Sequence, residues 1–252
     1  MKFSIITAVF NNERHIGGCI KSVSSQTYPD IEHIVIDGAS TDETLSVIDK
    51  YRDKIAKVLS EPDKGIYYAL NKGIALSSGD VIGALHSDDF YANDRVIEHV
   101  AAVFTQKNTD SCYGDLQYVS KNNPAKVVRH WKASPYTPGK FKYGWMPPHS
   151  TFFVRRSAYE KYGRFNTDFK IAADYELMLR LLAKNKISTL YLPEVMVKMR
   201  LGGISNKSIG NLLLKSSEDC RAWRVNELKG GCVAVLLKNL VKIPQFLTSS
   251  RH

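Results

Sequence analysis

Two adjacent carboxylates, Asp88 and Asp89, are the residues of this 252-residue chain whose position most suggests chemistry. They follow Val81–Leu85, a run of apolar residues and one glycine that predicts a strand buried on both faces. Open α/β sheets bind ligands at the carboxyl ends of such strands. At ~4 Å and an effective dielectric constant of about 20, the two charges repel each other by about 4 kcal/mol. Either water separates them in a solvated loop, which these two residues alone favour, or a divalent cation that also binds phosphate oxygens lies beside them.

Three further polar clusters follow predicted strands, and the strands alternate with predicted helices. The clusters are Asn11–Glu13, Asp37 and Asp63–Lys64. The strands are Phe3–Val9, Ile31–Ile36, Ala56–Leu59 and Val81–Leu85. This alternation is typical of a parallel, doubly wound sheet, which would gather the polar clusters in one cleft. Neither G-x-G-x-x-G after the first strand nor G-x-x-x-x-G-K-[ST] occurs, which argues against dinucleotide-binding and P-loop proteins.

The second half of the chain is less regular and contains a long loop. Helices are predicted over Ala92–Phe104, Ser157–Tyr162, Asp174–Ala183 and Ile209–Leu228, and strands over Cys112–Val119, Val127–Trp131 and Thr151–Val154. Lys132–Pro148 is rich in proline, glycine and aromatic residues. A functional lid is the usual reason for so long a loop in a compact domain, so we expect one here.

The composition, with 44% hydrophobic and 24% charged residues, is ordinary for a folded soluble protein. Four cysteines without metal-type spacing predict reduced, buried thiols and a cytosolic setting. The N-terminus turns polar at Thr7 and lacks the apolar core of a signal peptide. The net charge of +10 is concentrated in the tail: from Lys198 onward there are ten basic and three acidic residues, which leaves 25 and 22 before it. Such a tail predicts an acidic partner surface, either anionic lipid or nucleic acid.

Taken in order, these motifs resemble those of the family 2 glycosyltransferases of GT-A fold, which use nucleotide-sugar donors. The resemblance rests on Ser4–Asn11, Ile34–Asp42, Gly65–Gly73, Gly79–Asp80, Ser87–Asp89 and Ala173–Glu176. Each segment alone is weak evidence, but the ordered set is specific. It implies a GT-A, Rossmann-like, doubly wound and mostly parallel α/β sheet with a C-terminal helical extension.

The resemblance also implies which residues bind the nucleotide. They are Thr7, Ala8, Val9, Asn11, Glu13, Asp37, Lys64, Ser87 and Asp88. The end of the first strand would contact uridine through its backbone, Asp37 would accept the nucleobase N–H, and Lys64 would neutralise diphosphate charge. Each of three side chains also has a simpler interpretation: Asp37 as a charge at a helix N-terminus, Glu13 as a solvated residue and Lys64 as a surface lysine.

Asp88 and Asp89 are similar to the D-x-D metal motif of these enzymes, with His86 where the first acidic residue usually stands. The resemblance implies that the two carboxylates hold Mn²⁺ or Mg²⁺ on the donor diphosphate. His86 would be a third ligand, a ribose contact or, as the more common case, a hydrogen-bonded structural histidine.

Asp174 matches the residue that the family uses as general base. An inverting transfer is a single displacement, so the acceptor hydroxyl must lose its proton as it attacks while the diphosphate leaves from the opposite face. A partly apolar pocket is expected to raise the pKa of such a carboxylate. The competing interpretation is that Asp174 only caps the helix beginning there. Trp145 and His149 are candidates for the acceptor site, although Trp145 would equally suit the core.

The predicted boundaries are 1–205 for the catalytic domain, with a nucleotide part at about 1–105 and an acceptor part at about 106–205, and 206–252 for a basic helical extension. In that extension, Cys232–Leu237 is far shorter than the ~20 apolar residues that span a bilayer. Because Lys238 and Lys242 accompany it, the segment suits a helix lying in the interface of an anionic membrane. A helix packed on the catalytic domain is the alternative.

These features together predict an inverting transfer of sugar from a nucleotide donor, most simply a UDP-sugar, to a lipid-linked or oligosaccharide acceptor in surface-polysaccharide biosynthesis. The protein would be cytoplasmic, at the inner face of the plasma membrane if the tail binds lipid. Because His86 is atypical, a catalytically impaired relative that only binds donor or acceptor is the alternative. A sugar-nucleotide pyrophosphorylase would need a glycine-rich first loop, which Asn11–Arg14 is not. A nucleic-acid-binding protein would carry its basic residues around the cleft, so no nucleic acid partner is expected.

Overall fold

A computed structural model of the chain describes residues 1–202 and 209–240. Its first half contains β1 (Phe3–Val9), α1 (Ile16–Ser24), β2 (Ile31–Asp37), α2 (Thr44–Asp49), β3 (Lys57–Ser60), α3 (Ile66–Leu76) and β4 (Val81–Ala84). The remainder contains β5 (Phe90–Tyr91), α4 (Val96–Lys107), β6 (Ser111–Val119), β7 (Val127–Trp131), β8 (Phe153–Arg155), α5 (Arg156–Tyr162), α6 (Ala173–Met178), β9 (Thr189–Arg200), α7 (Ile209–Val225) and α8 (Gly231–Leu240). A π-helical segment, Leu179–Lys184, continues α6.

The first four strands form the parallel half of one mixed sheet, in the order β3-β2-β1-β4. The order reverses at β1, because β2 and β3 lie on one side of it and β4 on the other. Such a reversal opens a crevice outside the carboxyl ends of the strands. The predicted doubly wound sheet is confirmed for this half, and each strand begins and ends within one residue of its predicted bounds.

The second half of the sheet is mixed. β8 lies antiparallel between β4 and β6, and β9 runs parallel to β6 on the far side. Gly83 permits close packing of β4 here, because a Cβ at that position would lie 2.5 Å from the Phe153 ring. The twelve-residue strand β9 was not predicted. Its Pro193 coincides with a shift of register against β6. The proline and the irregular burial along the strand obscure the alternation that would identify a strand in the sequence.

Successive residues of β1 face two different cores, as the period of two in a strand requires. Phe3 and Ile5 pack with α4, whereas Ile6 packs with α3 and α6. The core that contains Ile6 also takes buried residues from α7 and α8, namely Ala222, Trp223, Ala234 and Val235. The C-terminal helices therefore share the core of the catalytic fold. The predicted boundary near residue 205 lies in 203–208, outside the described residues.

One face of α8 is buried against the body of the protein. Lys238 is 1% exposed, and its Nζ lies 2.8 Å from Asp219 Oδ2 and 3.5 Å from the centre of the Tyr175 ring. Gly144 allows α8 to approach this closely, because a Cβ at position 144 would lie 2.4 Å from the backbone nitrogen of Lys238. The prediction of Lys238 as a membrane-facing cation is wrong, since its charge is paired inside, and Lys242 lies outside the described residues. Within the described ranges, no helix has the length and hydropathy to cross a bilayer.

Replacing Lys238 with methionine is expected to reduce the free energy of unfolding by about 3 to 5 kcal/mol, because the Asp219 carboxylate would stay buried without its cation. Urea unfolding followed by circular dichroism measures the change. The double variant Lys238→Met/Asp219→Asn should recover most of the loss, since no charge then remains. A single variant as stable as the wild type would contradict the buried pair.

Candidate active site

The loops that follow β1 and β4 meet across the reversal of strand order. Asn12 Nδ2 donates a hydrogen bond to Ser87 Oγ at 2.8 Å and so joins the two loops. The pairing of β1 with β4 ends at Ile6, but β1 continues to Val9. The backbone of 7–9 therefore borders the crevice. The side chains of Thr7, Ala8 and Val9 are buried, which leaves their backbone as the part that a nucleotide could contact.

Asp37, at the end of β2, anchors the second loop. Its fully buried carboxylate accepts hydrogen bonds from the Ser40 N–H at 3.0 Å, the Ser40 hydroxyl at 2.5 Å and the Ser60 hydroxyl at 2.7 Å. These three bonds hold the turn in which Ala39 adopts a φ of +61°. A direct contact between Asp37 and a nucleobase stays a prediction, and it would use the lone pair that these donors leave.

Two other predicted nucleotide residues connect the first loop to the second. Asn11 has a φ of +47°, and its Oδ1 accepts the Thr41 N–H at 2.8 Å. Glu13 Oε2 accepts the Glu43 N–H at 3.0 Å, just before α2. Their side chains thus build the wall of the crevice. Lys64 is exposed, and it is Lys72 that pairs with Glu61 and Asp63, each at 2.6 Å.

Asp88 and Asp89 have different surroundings. Asp89 is 1% exposed; its Oδ1 accepts the Arg200 N–H at 3.3 Å, and its Oδ2 is buried without a hydrogen-bond partner. Asp88 is half-buried, and its carbonyl accepts from Arg200 Nη1 at 2.5 Å. Burial and the neighbouring Asp88 charge raise the pKa of Asp89 well above its ordinary value, despite the opposing effect of Arg200. A cation beside the pair would offset both effects.

The donor atoms at this position suit a hard cation in part. Asp89 Oδ2 and His86 Nδ1 are buried and unpartnered. However, across residues 1–202 and 209–240, no three His, Cys, Asp or Glu side chains are grouped as a metal cage. The predicted set of Asp88, Asp89 and His86 is therefore not assembled as three protein ligands. Mg²⁺ at phosphate sites needs only one or two carboxylates, because phosphate and water complete its shell, and the aspartate pair fits that case.

Two histidine rings connect the β4 loop with Asp174. The ring centres of His86 and His149 lie 5.5 Å apart, and His149 Nδ1 lies 3.5 Å from Asp174 Oδ2. From α3, the Tyr67 hydroxyl lies 3.5 Å from Asp174 Oδ1 and donates to the Ile171 carbonyl at 2.7 Å. The predicted metal loop and the predicted base therefore face one crevice.

The ionisation of Asp174 differs from the prediction. Burial raises its pKa, but His149 when protonated, Lys215 and Lys238 act in the opposite direction and hold the pKa below its ordinary value. The expected rise in pKa is wrong because these basic groups surround the carboxylate. Burial lowers the pKa of His149 to about 4, although Asp174 opposes the change. At neutral pH Asp174 is thus ionised, as a general base must be, and His149 is neutral.

The long loop packs against the core in this structure, and its role as a functional lid stays a prediction. Phe141 and Met146 are buried. Trp145 stacks on Tyr136 with ring centres 5.3 Å apart and meets Tyr113 edge-on at 5.7 Å. Trp145 is half-buried and packs against the core, and its role at the acceptor site stays a prediction.

Sequence reasoning placed His149 at the acceptor but missed its nearness to Asp174, and it assigned no individual role to Asn12 or Tyr67. Asn12 and Tyr67 both lie within or beside the segments that resemble the family, so membership of a motif was the available signal. Their partners are far away in sequence, 75 residues for Asn12 and Ser87 and 107 for Tyr67 and Asp174. No local pattern could therefore have predicted these contacts.

Comparison with known proteins identifies the family of this chain. The family model described as glycosyl transferase family 2 matches residues 4–163. An uncharacterised glycosyltransferase of Mycobacterium tuberculosis (strain ATCC 25618 / H37Rv) is 35% identical over 179 residues, which is 70% of this chain and 67% of the relative. The crystal structure of S. aureus TarS 1-349 in complex with UDP-GlcNAc superposes with a TM-score of 0.70 at 17% identity, over 99% of this chain and 79% of that chain. The mannosyltransferase PcManGT from Pyrobaculum calidifontis, in complex with GDP-Man and Mn²⁺, gives 0.67 at 15% identity, over 98% and 73%.

Both solved structures have the GT-A fold and superpose on nearly the whole of this chain, which confirms the predicted fold. The chain belongs to glycosyl transferase family 2 and is a glycosyltransferase.

His149→Ala is expected to lower the transfer rate about 10- to 100-fold, because Asp174 would lose the ring that faces its Oδ2 and would be less well oriented. His149→Asn can present an amide N–H near the position of Nδ1 and should retain most of the rate. Initial rates at saturating donor distinguish the two variants, with the exposed Val127→Ala on β7 as control. Equal losses in both His149 variants would argue against an orienting role.

Proposed function

We propose that this glycosyltransferase inverts the anomeric centre, with Asp174 as the general base that deprotonates the acceptor hydroxyl. The observation that carries the proposal is the juxtaposition of Asp174, His149 and the β4 loop in one crevice. A single displacement requires a base on one side of the reacting carbon and a diphosphate site on the other. The ionised Asp174 and the loop of Asp88 provide these two groups.

The diphosphate site is inferred from the aspartate pair. Asp88 is the more accessible of the two carboxylates. Arg200 fixes its loop by donating hydrogen bonds to the Asp88 carbonyl and to the buried Asp89 carboxylate. The pair would hold Mn²⁺ or Mg²⁺, which when bound neutralises charge that develops on the leaving diphosphate. The Mn²⁺ in the PcManGT complex supports this inference. Ser87, fixed by Asn12, would line the same side of the site.

The proposed donor is a UDP-sugar. The TarS complex contains UDP-GlcNAc and the PcManGT complex contains GDP-Man, so proteins of this fold accept either nucleotide. The support for uridine is Asp37, a carboxylate fixed at a strand end where it could accept an imide N–H. The backbone of Thr7–Val9, together with Asn11, Glu13 and Lys64, would complete the nucleotide pocket.

The proposed acceptor is a lipid-linked glycan at the inner face of the plasma membrane. The exposed face of α8 carries Val233 and Leu236, which are 64% and 62% exposed and lie about one turn apart. Tyr143, in the turn next to α8, is 73% exposed. With a net charge of +10, this apolar face would bind the surface of an anionic membrane. The membrane hypothesis thus moves from Lys238 to the opposite face of the same helix.

Nucleotide release from a panel of UDP- and GDP-sugars, with Mn²⁺ and a prenyl-diphosphate-linked glycan as acceptor, tests the proposed reaction. Turnover should occur with at least one UDP-sugar, stop on addition of chelator and return with excess Mn²⁺. Absence of metal-dependent release from every donor would reject the enzyme mechanism. If UDP still bound under those conditions, the catalytically impaired relative would become the better interpretation.

Membrane binding is tested by co-sedimentation with vesicles of phosphatidylglycerol and phosphatidylcholine. We expect the wild type to bind and the variant Val233→Ser/Leu236→Ser to lose most of its binding, because two exposed apolar anchors are removed. The matched control is Val127→Ser, an exposed apolar side chain on β7. Equal binding by all three proteins would reject the α8 surface.

A further inference from the structure

Glu218, a buried residue of α7, directs its carboxylate at the start of α6. Its Oε1 accepts the Lys170 N–H at 2.8 Å, and its Oε2 accepts the N–H groups of Ile171 and Ala172, each at 2.9 Å. Three consecutive backbone donors therefore bind one side chain from a segment 46 to 48 residues away. The last of them, Ala172, immediately precedes the first residue of α6.

This carboxylate fixes the segment that leads into α6. The three N–H groups that it accepts directly precede the helix, and the last of them belongs to Ala172, the residue at the N-cap position. A negative charge near a helix N-terminus also interacts favourably with the helix dipole. Charged acceptors such as this carboxylate make stronger hydrogen bonds than neutral groups do. The start of α6, and hence the backbone of Asp174 two residues later, depends on Glu218.

Helix α7 and Asn226, the residue that directly follows it, also fix the residues on the other side of Asp174. Trp223 Nε1 donates to the Tyr175 hydroxyl at 2.9 Å, and Asn226 Nδ2 donates to Glu176 Oε1 at 3.1 Å. Helix α7 thus holds the chain before and after the carboxylate. Both Asp174 and α7 lie beyond residue 163, where the match to the family model ends.

We propose that Glu218 is a positioning residue for Asp174. It fixes the segment that carries the base and contacts neither donor nor acceptor. The proposal rests on the function proposed above for Asp174. Loss of the Glu218 charge should therefore reduce the chemical step and leave donor binding unchanged.

Glu218→Gln is the test variant, because glutamine keeps the size but replaces one acceptor with an N–H donor. We expect kcat to fall about 10- to 100-fold, with donor KM changed less than about twofold. The matched control is Glu32→Gln. Glu32 is also buried and also accepts two consecutive backbone N–H groups, from Ser78 and Gly79, but at the amino end of the sheet. The control should lose stability and keep kcat.

Two further measurements separate positioning from general destabilisation. In the Asp174→Asn background, Glu218→Gln should change the rate less than about twofold, because a residue acting through the base has no effect once the base is gone. Hydrogen exchange of the amides of 170–172 should be at least about tenfold faster in Glu218→Gln than in the wild type or Glu32→Gln.

The outcomes distinguish this inference from the proposed function. A wild type that is inactive with every donor would reject the proposed reaction, and hydrogen exchange would still decide whether Glu218 holds the start of α6. An active wild type whose kcat falls equally in Glu218→Gln and Glu32→Gln would overturn the positioning role. Additive losses in the Asp174→Asn background would also overturn it.

Discussion

Asp174→Asn is expected to lower sugar transfer by about 10²- to 10⁴-fold, the range that general acid–base catalysis contributes. Asparagine keeps the shape of the side chain but cannot take the proton of the acceptor hydroxyl. The fold should be unaffected, because no fully buried charge pair depends on Asp174. Steady-state kinetics and calorimetric titration with UDP measure the two effects, and the affinity for UDP should match the wild type.

The pH dependence provides a second check on the same residue. Because the pKa of Asp174 lies below its ordinary value, the carboxylate is ionised at pH 8 and still ionised at pH 6. Its protonation therefore cannot slow the reaction between these values, and a decline is expected only in more acidic solution. Full transfer activity in Asp174→Asn would contradict the assignment. So would a pH profile in which the wild-type rate depends on a group titrating near neutral pH and the variant loses that dependence.

Asp88→Asn is expected to lower transfer about 100-fold and to raise the Mn²⁺ concentration needed for half-maximal rate. Loss of a carboxylate ligand weakens the binding of the cation that neutralises the diphosphate. A 100-fold lower rate corresponds to about 2.7 kcal/mol of transition-state stabilisation, out of the several kcal/mol that a metal ion supplies. Rates measured across a Mn²⁺ titration give both quantities.

The exposed Asp53→Asn provides the matched control for charge, since it removes one carboxylate far from the crevice. It should titrate with Mn²⁺ as the wild type does. If Asp88→Asn also showed the wild-type Mn²⁺ dependence, Asp88 would be excluded as the metal-bearing residue.

The parallel half of the fold could be predicted because its strands are short apolar runs between helices with a clear apolar stripe. The carboxyl ends of parallel strands meet at one edge, so the nearness of the β1 and β4 loops followed from topology alone. Strand β9 could not be predicted in the same way. Its Pro193 interrupts the strand pattern in the sequence, and its pairing with β6, about 80 residues earlier in the chain, is a feature of tertiary structure.

The sequence could name several residues of the candidate site, but it could not predict the charges around them. Sequence motifs contain the aspartates Asp88, Asp89 and Asp174. The positive charges that act on Asp174 belong to Lys215 on α7 and Lys238 on α8, which are distant in sequence. Lys238 was misplaced because its partner Asp219 lies 19 residues away on another helix. An amphipathic pattern indicates which face of a helix is apolar. It cannot predict that a lysine is buried against a buried partner on another helix.

The sheet and helices α7 and α8 share one hydrophobic core, so truncations and mutations in the C-terminal helices affect folding. A truncation before α8 would remove Ala234 and Val235 from the interior and leave Asp219 as an unpaired buried charge. Such a protein would fail to fold well, and its inactivity would resemble a failure to reach the membrane. Localisation of this enzyme in cells is therefore better tested with surface substitutions on α8 than with deletions, since only the former separate targeting from folding.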